Sequence, residues 1–325
     1  MHRQARHAFR GRIGALGPAP GARFGSLPII VVGLLLATLG GCSRTSRAEV
    51  TARVGEIIIT PEDVAYRQAV TEVRSGEAIP APVALFQLLE EALMAEVGRR
   101  YDVVVSEEML AQEAVRVQTE SRDPQMLARI RAVFGEDQAA YRRLVLKPIL
   151  VNQLLHARFS LGHDIQAEPL ARAQEVLAAG LTAPASLPAL AEAFGAEYQE
   201  LEVADGRIRY GEEAQQELPP ALTQYVQWFG YDRGFVVQVV DELEVGELHP
   251  RVVEDRHTFM VVRLLSEAGE DAQLESVVVD KLAFGPWFQA QSQRVEMKIA
   301  DQALKEALLA EVDVPYMTDR LSTGE

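Results

Sequence analysis

Four histidines stand beyond residue 42: His156, His163, His249 and His257. Imidazole is the side chain most apt to move protons near neutral pH or to hold a divalent metal. No two of them are spaced as HxxxH, the pattern that puts two ring nitrogens on one helix face. Composition leaves a Ser-His-Asp set open, but no GxSxG elbow presents a serine nucleophile. Walker and dinucleotide glycine patterns are absent beyond residue 42. Cys42 is the only cysteine, which excludes an intramolecular disulfide and any Cys-based zinc site. The remaining chemistry is that of binding. Trp228, Phe229, Tyr231 and Phe235 cluster with Gly230 and Gly234, as a loop that either binds unfolded chains or folds onto its own domain. Trp287 and Phe288, after Gly285 and Pro286, invite the same pair of readings, with core packing favoured. Glu90, Glu91 and Glu96 read as the solvated face of a helix.

The chain has 325 residues and a net charge of −15, with 48% hydrophobic and 24% charged residues. That is globular composition, and the length calls for more than one core. An acidic balance argues against nucleic acid as a partner, because phosphate-backbone binding needs a basic surface. The charge is uneven. Residues 1–41 hold five arginines (Arg3, Arg6, Arg10, Arg12, Arg23) and no acid, so the rest carries 27 basic and 47 acidic residues, or −20. Leu27–Leu39 is a 13-residue apolar run, the length of a signal-peptide core and short for a membrane span. The sequence Leu39-Gly40-Gly41-Cys42 that follows resembles a bacterial lipobox. Such a resemblance implies cleavage before Cys42 and lipidation of its thiol, which anchors the protein to a membrane by its acyl chains. Export implies the periplasmic side of the envelope, and Ser43 after the cysteine weakly favours the outer membrane.

Beyond the leader, residues 43–49 read as a linker, and Val50–Thr60 as β-structure turning at Gly55. Thr60-Pro61-Glu62-Asp63 is a helix start with Thr60 as N-cap. Leu85, Leu88, Leu89, Ala92, Leu93 and Val97 recur at three and four, the stripe of an amphipathic helix. Ser106, Asp123 and Asp137 open further helices, the last broken or kinked near Pro148 and running to His156. From residue 159 the pattern changes. Helices are expected over Pro169–Ala179, ended by Gly180, and over Ser186–Phe194, ended by Gly195. Short β runs follow at Tyr198–Val203, Phe235–Val240 and Thr258–Leu265. Strands at Val277–Val279 and Val295–Ile299 and a helix over Ala300–Val312 close the chain.

In this order the pieces resemble the parvulin foldases of the SurA/PrsA type. Ala52–Tyr66 (ARVGEIIITPEDVAY) is similar to their opening strand, turn and helix start. Ala84–Gly98, Val103–Met109 and Phe134–Leu155 are similar to the helices that follow, and Leu243-Glu244-Val245-Gly246-Glu247 to the LxxGE turn before the last parvulin strand. The resemblance covers about residues 50–312. It implies an α+β fold with a helical SurA-like N-terminal domain over 50–158 and a small parvulin-like α/β domain over 159–267. A C-terminal segment over 268–314 is expected to return to the N-terminal domain. Residues 1–41 are then the signal, 42–49 the lipidated linker and 315–325 a tail.

The resemblance also implies peptidyl-prolyl isomerase activity, with no cofactor. Twisting an X-Pro amide means crossing about 18–20 kcal/mol of resonance barrier. A dry apolar pocket helps, because the planar amide is more dipolar than its twisted form. The family's catalytic set does not carry over whole. Ala157–Leu161 is expected as the first strand, with Phe159 where the family has a histidine. Leu218 and Leu222 fall at the Met/Phe pocket positions. The last histidine position falls on Met260, or on Phe259 when counted from Gly246. Residues 226–236 look like an insertion. Phe159, Leu218, Leu222 and Met260 are therefore the proline-pocket candidates, with core packing as the alternative. The implied function is a lipid-anchored foldase that binds unfolded or nascent exported polypeptides and isomerises X-Pro bonds weakly or not at all. The alternative is a non-catalytic chaperone or envelope-assembly lipoprotein that keeps the fold for binding.

Overall fold

A computed structural model describes residues 49–182, 186–204, 207–209, 243–254, 257–268 and 271–311. Within them the fold is α+β. Helices pack with two antiparallel sheets, and among the described residues no helix is long and apolar enough to cross a membrane. Cys42, Leu218, Leu222, Trp228, Phe229, Tyr231, Phe235 and the run Phe235–Val240 lie outside the described residues.

Two short strands open the described chain, β1 (Ala52–Val54) and β2 (Ile57–Ile59), turning at Gly55 with φ +56°. That left-handed value suits glycine. There is a second reason for glycine here. A Cβ on Gly55 would sit 2.5 Å from Glu96 Cδ, so the turn docks directly on a helix side chain. Gly55→Ala is expected to cost about 1–3 kcal/mol through strained backbone and the displaced glutamate. Urea unfolding checks this, and an unchanged midpoint would refute it.

Helix α1 (Pro61–Ser75) starts on a reciprocal capping box between Thr60 and Asp63 and ends at Gly76. Helix α2 (Ala81–Arg100) carries the expected stripe, and Leu85, Leu88, Leu89, Ala92, Leu93 and Val97 are all buried. Ser106 caps α3 (Glu107–Glu120), Asp123 caps α4 (Pro124–Phe134) and Asp137 caps α5 (Gln138–Tyr141). A π-turn over Arg142–Leu146 then leads into α6 (Lys147–Leu161). Pro148 explains the turn, since it brings no N–H to the carbonyl four residues back. That carbonyl, on Leu144, accepts instead from the Arg67 guanidinium at 3.0 Å.

Ala157–Leu161 was expected as a strand, but it is the last turn of α6. The helical period explains this, because Leu150, Leu154 and Ala157 share one buried face that the helix continues. The helix over 169–179 is also longer than expected. It runs as α7 (Ala167–Thr182), and Gly180 does not end it. A Cβ at Gly180 would meet Leu248 at 2.9 Å and Leu190 at 3.2 Å, so this glycine serves close packing. Helix α8 (Leu187–Phe194) begins at its Ser186 cap and stops at left-handed Gly195.

The second sheet has the order β4-β3-β7-β6-β5, all antiparallel. Its strands are β3 (Glu197–Ala204), β4 (Arg207–Arg209), β5 (Val253–Glu254), β6 (Thr258–Ala268) and β7 (Asp271–Asp280). Side chains alternate across it. Phe259, Val261, Val277 and Val279 face α7 and α8, while Met260, Val262, Leu264, Leu274 and Val278 form the opposite core with Leu243 and Val253. Gly246 sits in the left-handed region at φ +90° and donates its N–H to Leu264 at 2.7 Å, so the LxxGE turn is held against β6. The central strand β7 lies beyond residue 267, so the domain edge drawn there cuts through the sheet; the change of body comes after Asp280.

The chain then returns to the first body. Helix α9 (Phe284–Ser292) packs on α2, and β8 (Met297–Ile299) pairs with β1, placing Ile299 opposite Ala52. Helix α10 (Gln302–Glu311) buries Leu308 against the same core. The helical body is therefore discontinuous in sequence, with the second sheet and helices α7 and α8 inserted between α6 and α9.

Candidate functional site

The two bodies meet at a polar seam. Lys281, at the end of β7, has a side chain only 2% exposed. Its ammonium donates to the Ser160 carbonyl and to Glu254 Oε1, each at 2.6 Å, and lies 4.7 Å from the centre of the Phe259 ring. The other oxygen of Glu254 is 2.7 Å from His163 Nε2. Gln166, fully buried, bridges both crossings: its amide donates to the Phe159 carbonyl at 2.9 Å and accepts from the Leu282 N–H at 2.8 Å. Arg158 grips Asp164 through two 2.7 Å bonds. The hydrogen bonds from Arg158 hold the Asp164 carboxyl below its ordinary range. The side chains of Lys281, Glu254, His163, Gln166, Arg158 and Asp164 thus tie together the two points where the chain crosses between body and insertion.

Beside this seam lies an aromatic column. Phe159 is buried against Phe284 and Trp287, with ring centres 5.3 and 5.0 Å away. Phe284 stacks on His156 at 3.7 Å and on Phe288 at 5.6 Å. Trp287 and Phe288 are half-buried and pack on the helical core, in line with the favoured reading. Met260 is fully buried in the sheet core with Val262 and Leu264. Of the four proline-pocket candidates, the two described ones therefore belong to different clusters and neither opens to solvent.

A different feature does open to solvent. An open groove of about 570 Å³ runs along α3, lined by Met109, Val115 and Leu150 and edged by Glu113, Arg116 and Glu120. Leu150 comes from α6, so the groove lies where α3 leans on that helix. Val115 is 62% exposed within it, and neighbouring Ile149 is 37% exposed. Arg116 is held from both sides, by Glu113 at 2.6 Å and Glu120 at 3.0 Å. The hydrogen bonds that Arg116 donates to Glu113 chiefly raise the guanidinium pKa. This groove was missed in the sequence, although Met109 and Val115 on α3 and Leu150 on α6 carry its apolar signal.

No protein-family model matches this chain, and no curated protein matches it either.

The histidines do not converge. His156 stacks on Phe284, His163 meets Glu254, His249 is buried with Nδ1 2.7 Å from the Arg251 carbonyl, and His257 is exposed. Among the described residues no three His, Cys, Asp or Glu side chains group as a metal site. The helix acids need a correction. Glu90 is exposed as expected, but Glu96 is 2% exposed and Glu91 is half-buried on Arg67. Arg99 neutralises Glu96 with bonds of 2.8 and 3.1 Å, and these lower its pKa. Burial raises that of Glu91, against the pull of Arg67.

Proposed function

We propose that this protein is a lipid-anchored binder of non-native exported polypeptides on the periplasmic side of the envelope, without prolyl isomerase activity. The single observation that carries the reading is the open groove between α3 and α6, an apolar floor edged by Glu113, Arg116 and Glu120. Exposed apolar surface in a concave site is what a non-native chain can cover. Supporting it are the cationic leader and lipobox-like Cys42, and the likeness of the element order to parvulin foldases. Isomerisation is left out because Phe159 and Met260 are sealed in separate cores.

The test uses the full chain in detergent micelles, mixed with a chemically denatured protein diluted into buffer. The chain is expected to slow light scattering at equimolar ratio, and Val115→Asp to lose most of that effect while keeping its unfolding midpoint. A prolyl tetrapeptide should isomerise at its buffer rate with either form. No suppression at any ratio would sink the reading, and a tetrapeptide rate above buffer would restore the catalytic one.

A further inference from the structure

We infer that the solvent face of the β2-β1-β8 sheet is the side on which the body meets a bilayer, and that its partner there is an anionic lipid headgroup. This rests on the reading that Cys42 is acylated. Side chains alternate across the sheet. Ala52, Val54, Ile59 and Ile299 are buried on one side. On the other, Ile58, Arg53 and Lys298 form an exposed row, with Arg53 in register with both neighbours. Arg53 and Lys298 are thus like charges directly opposite on adjacent strands, which destabilises a sheet left in water. Neither forms an ion pair among the described residues. An anionic group between them removes that repulsion, and Ile58, 42% exposed, adds the apolar contact that a membrane surface accepts beside cations. The place of the row names the partner. The chain from Cys42 to Glu49, where the described residues begin, spans at most about 25 Å, and β1 starts three residues later. Acylation of Cys42 therefore keeps this sheet within short reach of the bilayer. The local charge agrees. Residues 42–60 and 294–300, with Glu96, Arg99 and Arg100 of α2 that pack on them, hold seven bases and four acids. Most of the −20 lies elsewhere, in residues 164–280, with 23 acids and 7 bases. Charges act over about 8 Å at physiological salt, so the local set governs contact with the surface.

The experiment uses the acylated chain in vesicles of phosphatidylcholine, with or without a minority of phosphatidylglycerol. Because acylation uses the only thiol, Ile58→Cys gives a single site for a fluorescent dye, and Glu168→Cys, exposed on α7, gives the control. On anionic vesicles the dye at position 58 is expected to be quenched by acrylamide about threefold less than on neutral ones, and added salt should reverse the change. The dye at position 168 should be quenched equally on both. Arg53→Glu combined with Lys298→Glu should abolish the shielding. That pair keeps like charges opposed, so it changes the sign of the face without adding to the repulsion within the sheet. Equal quenching at position 58 on the two vesicles, equal shielding at position 168, or shielding that survives the reversed pair overturns the inference and leaves the anchor standing. A chain that floats with neither vesicle overturns the anchor and the inference together.

Discussion

A fragment of residues 50–160 is expected not to fold, although it contains every helix from α1 to nearly the end of α6. The reason lies in what returns to it from the C-terminal side. Strand β8 is the second hydrogen-bonding partner of β1, so without it Ala52–Val54 keeps only the three-residue pairing with β2. Val295, Ile299 and Leu308 are buried in the same core as α2, and Trp287, Phe288, Leu304 and Leu309 pack on it. Each fully buried side chain of this kind stabilises by about 1.5–3 kcal/mol. Three of them, with the half-buried ones added, approach the entire 5–15 kcal/mol that typically separates folded from unfolded domains.

The reciprocal change is expected to be tolerated. The insertion leaves and rejoins the helical body at neighbouring points, since Lys281 reaches the Ser160 carbonyl and Gln166 touches both Phe159 and Leu282. Replacing residues 164–280 by a six-residue Gly/Ser linker, which spans about 20 Å, closes that gap easily. Circular dichroism and urea unfolding separate the cases. The excised protein should keep helical signal and one cooperative transition, and the 50–160 fragment should show neither. A cooperative transition in the fragment would mean that the C-terminal return is not needed for the core. The same logic matters for function, because the α3–α6 groove belongs wholly to the helical body and should survive the excision.

How much of this could be read in advance depended on the range of the interaction. Thr60, Ser106, Asp123, Asp137 and Ser186 were legible as helix starts because a cap is local: each side chain accepts from a backbone N–H three residues on. The α2 stripe was legible because its period is local too. Ala157–Leu161 was misread because alternating Ala157, Phe159 and Leu161 fit a strand as well as a helix end, and the resemblance placed a strand there. Gly180 was misread as a stop because its neighbours, Leu190 and Leu248, come from elsewhere in the chain. Glu96 looked solvated because Gly55, which packs on its carboxyl, stands 41 positions away in sequence, as Glu96 and Gly55 show by their numbers. The seam had no local signature at all, since Ser160 and Lys281 are 121 residues apart.

That seam carries the second large effect. Lys281→Met is expected to destabilise the protein by about 3–5 kcal/mol, the range seen when one partner of a buried ion pair is removed. Glu254 would keep its charge at 12% side-chain exposure without its cation, and the Ser160 carbonyl would lose a 2.6 Å donor at the end of α6. His163 is not a substitute, because it is half exposed and meets the other carboxylate oxygen. Glu254→Leu alone should cost a similar amount, for it strands a lysine that is 2% exposed. The double variant decides between a pair and two independent contacts. Two apolar side chains can pack beside Phe259 with no charge left to solvate, so Lys281→Met with Glu254→Leu should be less destabilised than the sum of the singles by about 2 kcal/mol or more. Urea unfolding of the four proteins gives this coupling directly. Additivity within about 0.5 kcal/mol would show that the two residues act separately. The joint between insertion and helical body would then rest on the Gln166 bridge and the Arg158–Asp164 pair, which hold the same two crossings without a buried charge from β7.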